Sequence, residues 1–368
     1  MRITRKLLSP RFSDNGRANI VMGRSAIKTA HVVSDLLRTN DTGIRVFHKA
    51  CPLCAGETAT LIAEKDRYGI PADTLVCDSC SLIFSGSVFT PEFAAHYYSE
   101  YAKAFKIGNR SADDLFKART APKAYAWRRH AWVKRTLGNL YQDIKTVIEV
   151  GCSDGCNLYP YHLDKKKVTG CDYDEARLII GRKVGMDLRR GGPEDFIKSN
   201  LKADLVIFSH SLEHMTNIDT ALQFAKQVMK PTGYLYIEVP GVEGLIRPKA
   251  EWCEIDGYGC SNDLLGYLQF EHHYHFNLAS LSSFATRNGF EQIAGDEIVR
   301  MLFRQSKKTG AHEIKKTSGK SVVQRLEITE KDFLATNSPI RRGLRRLYIS
   351  GRNALVQLYL LTSLGINI

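Results

Sequence analysis

The stretch Thr146-Val-Ile-Glu-Val-Gly-Cys-Ser-Asp-Gly155 decides the fold. Its first five residues form a short apolar run of the kind found in buried parallel strands, and a turn with two glycines follows at once. Small residues suit such a turn because the backbone must pass close to a ligand. A helix is expected from about Asn157. The stretch therefore predicts a strand–turn–helix unit whose turn faces a bound small molecule.

The same alternation continues along the chain. Strand-like runs follow at 168–172, 203–208 and 234–239, and helical patterns lie at 175–184 and before Pro231. Strands that alternate with helices form a parallel, doubly wound sheet, and such sheets bind ligands at the carboxyl ends of their strands. We therefore predict an α/β fold with a Rossmann-like core over residues 146–306.

Four of the nine cysteines form the pattern Cys51-x-x-Cys54 … Cys77-x-x-Cys80. In a chain without an evident secretory signal, cysteines favour metal sites or structural thiols over a disulfide framework. Zinc takes four soft ligands in a tetrahedron, and each C-x-x-C turn supplies two thiolates. The pattern predicts a structural zinc module at 48–90 with no position open to substrate; four unrelated thiols or a redox pair are the alternatives.

The net charge of +13 is concentrated at the two ends of the chain. We predict a basic helical extension at 1–47, with a helix at 21–38 that buries Ile27, Ala30, Val33 and Leu37. A helical linker or lid is expected at 91–145. A basic extension with an apolar helix is expected at 307–368; it packs on the core, contacts another copy or touches a membrane surface.

The composition sets limits on location and partners. No run approaches the roughly 20 apolar residues of a membrane span, so we expect a cytoplasmic protein without a transmembrane segment. The near-neutral central body argues against an electrostatic trap for nucleic acid, although the basic ends keep nucleic acid as a less favoured partner. The oligomeric state stays open.

The spacing Glu149-x-Gly151-x-Ser153-x-Gly155 resembles the adenosylmethionine-binding loop of class I methyltransferases, with Ser153 where a glycine is usual. A dinucleotide-binding G-x-G-x-x-G does not fit this glycine spacing. The resemblance implies S-adenosylmethionine as cofactor and Asp172 as the acceptor of two ribose hydroxyls. Further implied donor contacts are Glu149, Tyr173, Ser209 and, near the adenine, Glu194 and Asp195.

Two histidine-bearing segments extend the resemblance. Ser209-His-Ser-Leu-Glu-His214 matches a signature of a large methyltransferase subgroup, and it implies that His210 faces the donor as a further candidate catalytic residue. A zinc domain, this core and Glu271-His272 before an aromatic residue together resemble the bacterial nucleotide-sugar C-methyltransferases. That likeness implies His272 as the catalytic base, Glu271 as its partner, and Tyr98 or Tyr101 as a cover of the active site. Three histidines within five residues also suit a metal site or a polar lid.

These features predict methyl transfer to a small molecule, a sugar or glycan precursor, at carbon or oxygen. The C-terminal domain of the sugar enzymes is not recognisable here, and a segment at 241–270 is the expected acceptor insertion. RNA methylation aided by the zinc ribbon and basic tails is the second hypothesis, and a non-catalytic scaffold is the third.

Overall fold

The computed structural model describes residues 1–39, 42–105, 111–242, 263–296, 299–306 and 318–337. Its strands are β1 (Arg2–Arg5), β2 (Arg45–Phe47), β3 (Thr58–Lys65), β4 (Pro71–Cys77), β5 (Ile83–Ser85), β6 (Ser87–Phe89), β7 (Thr146–Val150), β8 (Lys167–Asp172), β9 (Asp187–Arg190), β10 (Ala203–Ser209), β11 (Met229–Glu238), β12 (Tyr274–His275), β13 (Phe290–Asp296) and β14 (Arg300–Gln305). Its α-helices are α1 (Arg24–Arg38), α2 (Pro91–Glu100), α3 (Ala102–Phe105), α4 (Ala112–Thr120), α5 (Tyr125–Leu137), α6 (Tyr159–Leu163), α7 (Glu175–Lys183), α8 (Glu194–Lys198), α9 (Ile218–Val228), α10 (Leu264–Tyr267), α11 (Leu278–Arg287) and α12 (Gly319–Thr336).

A seven-stranded sheet forms the centre of the molecule, in the order β13-β14-β11-β10-β7-β8-β9. The five strands from β11 to β9 are parallel, and β14 runs antiparallel to both of its neighbours. Along the sequence, the first strand of this sheet is β7, near its middle. The strands β8 and β9 are added toward one edge, and the chain then crosses back to form β10 on the other side of β7. This reversal creates a crevice between the carboxyl ends of β7 and β10, where doubly wound sheets bind their ligands. The predicted α/β Rossmann-like fold is confirmed.

The sheet is buried on both faces because its strands are apolar at successive positions. Val147 packs with helices α5, α6 and α7 on one face, whereas Ile148 packs with α8, α9 and α11 on the other. The strand β11 begins at Met229, earlier than predicted. Pro231 falls in a bulge, since the partner of Ala203 is Met229 but the partner of Leu205 is already Tyr234.

A second sheet contains the paired cysteines, in the order β1-β3-β4-β5-β12. Its outer strands come from distant parts of the sequence, because β1 pairs in parallel with β3 and β12 pairs antiparallel with β5. Residues 1–47 are therefore not only a helical extension, because they also contain the strands β1 and β2. The helix α1 buries Ala26, Ala30, Val33 and Leu37, whereas Ile27 is 43% exposed and lies off the predicted apolar face.

The described part of the C-terminal extension is the helix α12, which packs against β3 and β4 of the cysteine-bearing sheet. Its Glu330 is buried and accepts hydrogen bonds from Ser9 Oγ and Arg11 Nε, both at 2.7 Å. The predicted apolar helix within 338–368 and most of the predicted acceptor insertion, 243–262, lie outside the described residues. In the described ranges, no helix has the length and apolar character needed to cross a membrane.

Candidate active site

The turn after β7 owes its shape to residues in the left-handed backbone region. Gly151, Ser153 and Gly155 have φ angles of 73°, 52° and 74°. A Cβ atom on Gly151 would lie 2.6 Å from the Cβ of Ser211, and one on Gly155 would lie 2.8 Å from Met186 Cε. Both glycines are therefore required by conformation and by space, whereas Ser153 adopts the conformation despite its side chain.

Asp172 stands at the end of β8, directly beside this turn. Its Oδ2 accepts a hydrogen bond from the Ser153 amide at 2.8 Å, and its Oδ1 accepts one from the Asp174 amide at 2.9 Å. Each carboxylate oxygen has a further lone pair, so the side chain can still accept from two neighbouring hydroxyls. The structure thus brings the predicted ribose-binding acid and the predicted donor loop together.

Buried polar atoms without a hydrogen-bond partner in the described structure line the crevice. They are Glu149 Oε2, Ser209 Oγ and Ser211 Oγ, at the carboxyl ends of β7 and β10. The other oxygen of Glu149 accepts from Asn157 Nδ2 at 2.8 Å, and burial raises the pKa of Glu149 to about 8. Buried polar groups are almost always satisfied in folded proteins, so this set fits a polar ligand such as S-adenosylmethionine.

The remaining predicted donor contacts lie at the outer side of the crevice. A Cβ atom on Gly192 would clash with Glu194 Oε2 and lie 2.8 Å from the Tyr173 hydroxyl, so these two side chains meet next to the end of β8. Asp195 is in the first turn of α8, and its side chain is outside what the structure describes. Gly192 itself offers no side chain for a ligand.

His210 follows β10 at the tip of the crevice, with a φ angle of 52°. Its amide donates to the Glu238 carbonyl at 2.8 Å, and its Nε2 lies 3.3 Å from Glu238 Oε1. Its Nδ1 lies 3.7 Å from Glu213 Oε1, and its side chain is 32% exposed. A strained, partly exposed imidazole between two buried carboxylates is a suitable proton acceptor.

An ion pair that the sequence did not predict holds Glu238 in place. Arg129 on α5 donates to Glu238 Oε1 through Nη2 at 2.6 Å and Nε at 2.8 Å, and Tyr236 donates to Oε2 at 2.5 Å. Burial opposes ionisation of Glu238, but the Arg129 charge and the contact with His210 outweigh it and hold its pKa well below the usual value. Glu238 is therefore a carboxylate, positioned to orient His210.

The side chains of Glu271 and His272 contact different residues. The Glu271 carboxylate accepts a short hydrogen bond from the Tyr97 hydroxyl on α2. The His272 ring lies edge-on to that of His214, with 4.6 Å between ring centroids, and the two histidines form a cluster with Glu213. Burial, with the neighbouring histidines, lowers the pKa of His272 well below its usual value. The sequence suggested Glu271 as the partner of His272, whereas the contacts favour Glu213 and His214.

Of the two tyrosines proposed to cover the site, Tyr98 reaches this cluster. Its hydroxyl lies 3.0 Å from His214 Nδ1. Tyr101 instead contacts the rings of His96 and Tyr97 within the helical segment, at 5.3 and 6.4 Å between centroids. Spacing alone does not distinguish adjacent aromatic residues on a short helix, so only the fold separates them.

The four paired cysteines meet in one place. The Sγ atoms of Cys51 and Cys80 are 3.6 Å apart, those of Cys54 and Cys77 are 3.5 Å apart, and all four lie within 4.8 Å of one another. A zinc ion with sulfur ligands at about 2.3 Å would place sulfurs about 3.8 Å apart in a tetrahedron. The residues present therefore fit a tetrahedral ion.

The two cysteine turns have the same backbone geometry. Ala55 donates its amide to the Cys51 carbonyl at 2.9 Å, and Ser81 donates to the Cys77 carbonyl at 3.0 Å. Both Ala55 and Ser81 have left-handed backbones, with φ of 58° and 64°. Two matching turns that each direct two thiols inward are typical of a C-x-x-C metal knuckle.

His273 connects the cysteine-bearing sheet to the crevice. Its carbonyl accepts from the Ser85 amide at 2.9 Å, and its own amide donates to the Glu213 carbonyl at 2.8 Å. The next two residues form β12, which pairs with β5. The cysteine-bearing sheet therefore fixes the position of His272 relative to the turn that follows β10.

Comparison with known proteins agrees with this arrangement. Residues 118–294 match the family described as a methyltransferase domain, Methyltransf_23. The chain therefore carries a class I S-adenosylmethionine-dependent methyltransferase domain over the matched residues, as the sequence predicted.

The relatives are distant. A probable S-adenosylmethionine-dependent methyltransferase of Mycolicibacterium smegmatis is 26% identical over 136 residues, which cover 35% of this chain and 52% of the relative. The chain thus spans about half the length of that curated relative. Solved structures that the chain matches include the plantazolicin methyltransferase BpumL in complex with SAH (10% identity, TM-score 0.42, 58% of this chain and 94% of that chain) and the PH0226 protein from Pyrococcus horikoshii OT3 (14% identity, TM-score 0.39, 54% and 100%).

Proposed function

We propose that the protein transfers the methyl group of S-adenosylmethionine to a small acceptor, a sugar or glycan precursor, at a hydroxyl oxygen or an activated carbon. The observation that carries the proposal is the set of unpartnered buried polar atoms in the crevice, directly beside a partly exposed histidine. Such atoms are costly unless a ligand satisfies them, and their number favours a polar donor.

The donor would be held by the residues around the turn. When bound, S-adenosylmethionine supplies a methyl group already activated on a sulfonium. Asp172 would accept the ribose hydroxyls, and Glu149 with Ser209 would face the polar methionine end. Glu194 and Asp195 remain the predicted contacts near the adenine. The glycines at 151 and 155 let the backbone approach the ligand.

We assign the acceptor proton to His210. Its Nε2–H donates to the ionised Glu238, which leaves the lone pair on Nδ1 toward Glu213. As the acceptor oxygen gains the methyl group, its proton passes to this nitrogen. His272, the base expected from the sequence, is only 6% exposed and less accessible to an acceptor, so it serves as the alternative in the test.

The acceptor class follows from charge and from the polar side chains at the site. The central body is close to neutral once the basic ends are set aside, which favours a small molecule over an RNA backbone. Histidines, tyrosines and carboxylates around the crevice supply the alternating donors and acceptors that hydroxyl-rich molecules need. RNA methylation remains the competing hypothesis that the assay addresses.

We further propose that Cys51, Cys54, Cys77 and Cys80 hold a structural zinc ion. The support is the close approach of their sulfurs and the two matching turns that carry them. With four protein ligands the ion would have no open position, so its part would be to stabilise the small sheet that positions His273.

Transfer of a tritiated methyl group to nucleotide sugars and to bulk RNA tests the function. We expect incorporation into a nucleotide sugar, and calorimetric binding of S-adenosylhomocysteine. Incorporation into RNA alone would overturn the acceptor class, and absence of donor binding would overturn the activity itself.

The base assignment is tested with His210→Asn, because asparagine tolerates the left-handed backbone. We expect kcat to fall at least about 100-fold while the affinity for S-adenosylhomocysteine stays within about twofold. His31→Gln, an exposed histidine on α1, is the matched control. The assignment is wrong if His272→Gln abolishes turnover and His210→Asn leaves it intact.

A further inference from the structure

We propose that Glu213, His214 and His272 bind a divalent transition-metal ion, separate from the four-cysteine cluster. Glu213 and His214 belong to the short 3-10 turn Leu212–His214 after β10, and His272 precedes β12. The two segments are far apart in sequence, and the fold brings their side chains together at the rim of the methyltransferase crevice.

The distances suit a shared ion. One potential ligand atom from each of the three residues lies within 4.8 Å of the others. Glu213 Oε1 is 3.9 Å from His214 Nε2, and the two imidazole rings are 4.6 Å apart. Ligands at about 2.1 Å from an ion stand roughly 3 to 3.5 Å from one another, so small side-chain rotations would complete the coordination.

The surroundings of His214 suit one tautomer. Its Nδ1 lies 3.1 Å from the Glu271 carbonyl oxygen, which can only accept, and 3.0 Å from the Tyr98 hydroxyl, which can accept as well as donate. A hydrogen on Nδ1 suits both neighbours. The lone pair is then on Nε2, the nitrogen that faces Glu213. A ring N–H donated to a backbone carbonyl is the usual way in which proteins orient a metal-binding histidine.

The other two side chains have buried atoms that nothing in the described structure satisfies. Both carboxylate oxygens of Glu213 and the Nδ1 of His272 lack a hydrogen-bond partner, and the two residues are 1% and 6% exposed. An unpaired buried carboxylate is among the most costly groups in a folded protein. One cation would satisfy the carboxylate and the ring nitrogen together, which makes these atoms independent support for the site.

The ligand set indicates the kind of ion. Two imidazoles and one carboxylate suit Zn²⁺, Fe²⁺ or Co²⁺ and are a poor match for Mg²⁺ or Ca²⁺, which prefer oxygen ligands. Three protein ligands leave a position open, and the His214 side chain is 20% exposed, so the cluster is not sealed from solvent.

The purpose of the ion rests on the proposed function. Because Glu213 is 3.7 Å from His210 Nδ1, an ion on Glu213 would lie next to the proposed base. An acceptor hydroxyl could then bind the open position with its proton facing that nitrogen. The site itself, however, is defined by its three ligands and can be tested without any acceptor.

The experiment measures zinc per chain by mass spectrometry after loading with Zn²⁺ and removal of free metal, in wild type and in the double variant E213Q/H272Q. We expect the variant to bind one zinc ion fewer per chain than wild type, whatever the cysteine cluster holds. His275→Gln, a neighbouring histidine outside the set, should keep the wild-type content. Equal zinc in wild type and double variant would overturn the site.

A second measurement uses only the wild-type protein, so its result does not depend on whether the double variant folds. Titration of the metal-free wild type with Co²⁺ should give intense thiolate bands from the cysteine cluster and, with a further equivalent, weak visible bands from nitrogen and oxygen ligands. Absence of the weak bands in the folded wild type would also overturn the proposal. If the wild type binds no metal at this site but still transfers methyl groups, the metal proposal fails and the proposed function stands. If it binds the metal but transfers no methyl group, the proposed function fails and the metal site stands.

Discussion

The four-cysteine cluster and the crevice at the carboxyl end of the large sheet are built on opposite principles. In the cluster, four identical side chains converge on one another, and matching turns satisfy the backbone around them. In the crevice, several buried oxygens and nitrogens have no hydrogen-bond partner among the described residues. The first region supplies all four ligands of the proposed zinc ion. The second is incomplete without a ligand.

We expect the cysteine cluster to contribute to the stability of the fold and the crevice to contribute to ligand binding. Each buried unsatisfied polar group costs about 1–3 kcal/mol, so a crevice with several of them lowers the stability of the free protein. The zinc ion proposed for the cysteines would do the opposite, since it would bind the folded module and not the unfolded chain. We infer that the cysteine-bearing sheet stabilises a methyltransferase domain whose active region is costly by itself.

The largest effect is expected from Cys77→Ser, which removes one of the four sulfurs. The proposed zinc ion should be lost, and the free energy of unfolding should fall by more than about 3 kcal/mol, because the ion would bind the folded cluster and not the unfolded chain. Calorimetry should then show a melting temperature lower by about 10 °C.

The matched control is Cys171→Ala, a buried cysteine of β8 outside the cluster. It should retain the wild-type zinc content even if it loses some stability. Unchanged zinc content and melting temperature in Cys77→Ser would remove the contrast between the two regions.

An intermediate effect is expected in the donor turn from Gly151→Ala. The new Cβ would lie 2.6 Å from the Ser211 Cβ in a left-handed backbone, so the turn must move. We expect the affinity for S-adenosylhomocysteine, measured by calorimetry, to fall at least about 100-fold, which corresponds to about 2.7 kcal/mol.

Gly138→Ala is the control for Gly151→Ala, because it introduces backbone strain at a glycine outside the donor turn. Gly138 also has a positive φ, of 56°, but a Cβ there would meet nothing within 4 Å. Stability should fall modestly and donor affinity should stay unchanged. Equal losses of donor affinity in both variants would mean that the turn at Gly151 has no special part in binding.

The smallest effect, at no more than about 1.4 kcal/mol for each pH unit, concerns the pH dependence of stability in the absence of donor. Burial raises the pKa of Glu149 from its ordinary value of 4.5 to about 8, so between these values the folded chain holds a proton that the unfolded chain has released. The free energy of unfolding should therefore fall as the pH rises from about 5 to 8. Glu149→Gln should reduce that slope by up to about 1.4 kcal/mol per pH unit.

Denaturant unfolding at several pH values measures this slope. Glu291→Gln, an exposed residue of β13, is the control and should keep the wild-type slope. A wild-type slope in Glu149→Gln would indicate that Glu149 is ionised in the folded protein and already paired.

Local sequence was sufficient for the inner strands of the large sheet. The strands at β7, β8 and β10 and the helices α7 and α9 lie where apolar periodicity and the glycine turn indicate, because each of these elements is specified by its own residues. Asp172 and the loop at 151–155 could likewise be paired from sequence, since consecutive parallel strands end at the same edge of a sheet.

Long-range contacts could not be predicted in this way. Arg129 and Glu238 are 109 residues apart, and neither position differs from an ordinary helical arginine or strand-end glutamate in the sequence. The same applies to Tyr97 with Glu271 and to His214 with His272, whose proximity depends on how two sheets dock. Single-sequence patterns carry no information on that docking.

The pairing of β12 with β5 has a consequence for how the chain is made. The cysteine-bearing sheet is encoded almost entirely in the first quarter of the chain, yet its last strand is residues 274–275 and the helix packed on it is α12. During synthesis, the edge of β5 that pairs with β12 would stay unpaired until Tyr274 and His275 are made, by which time most of the large sheet has been synthesised. Such edges attract other chains, and contacts between distant segments form slowly. A nascent chain stalled before Tyr274 would therefore be the form most prone to aggregate.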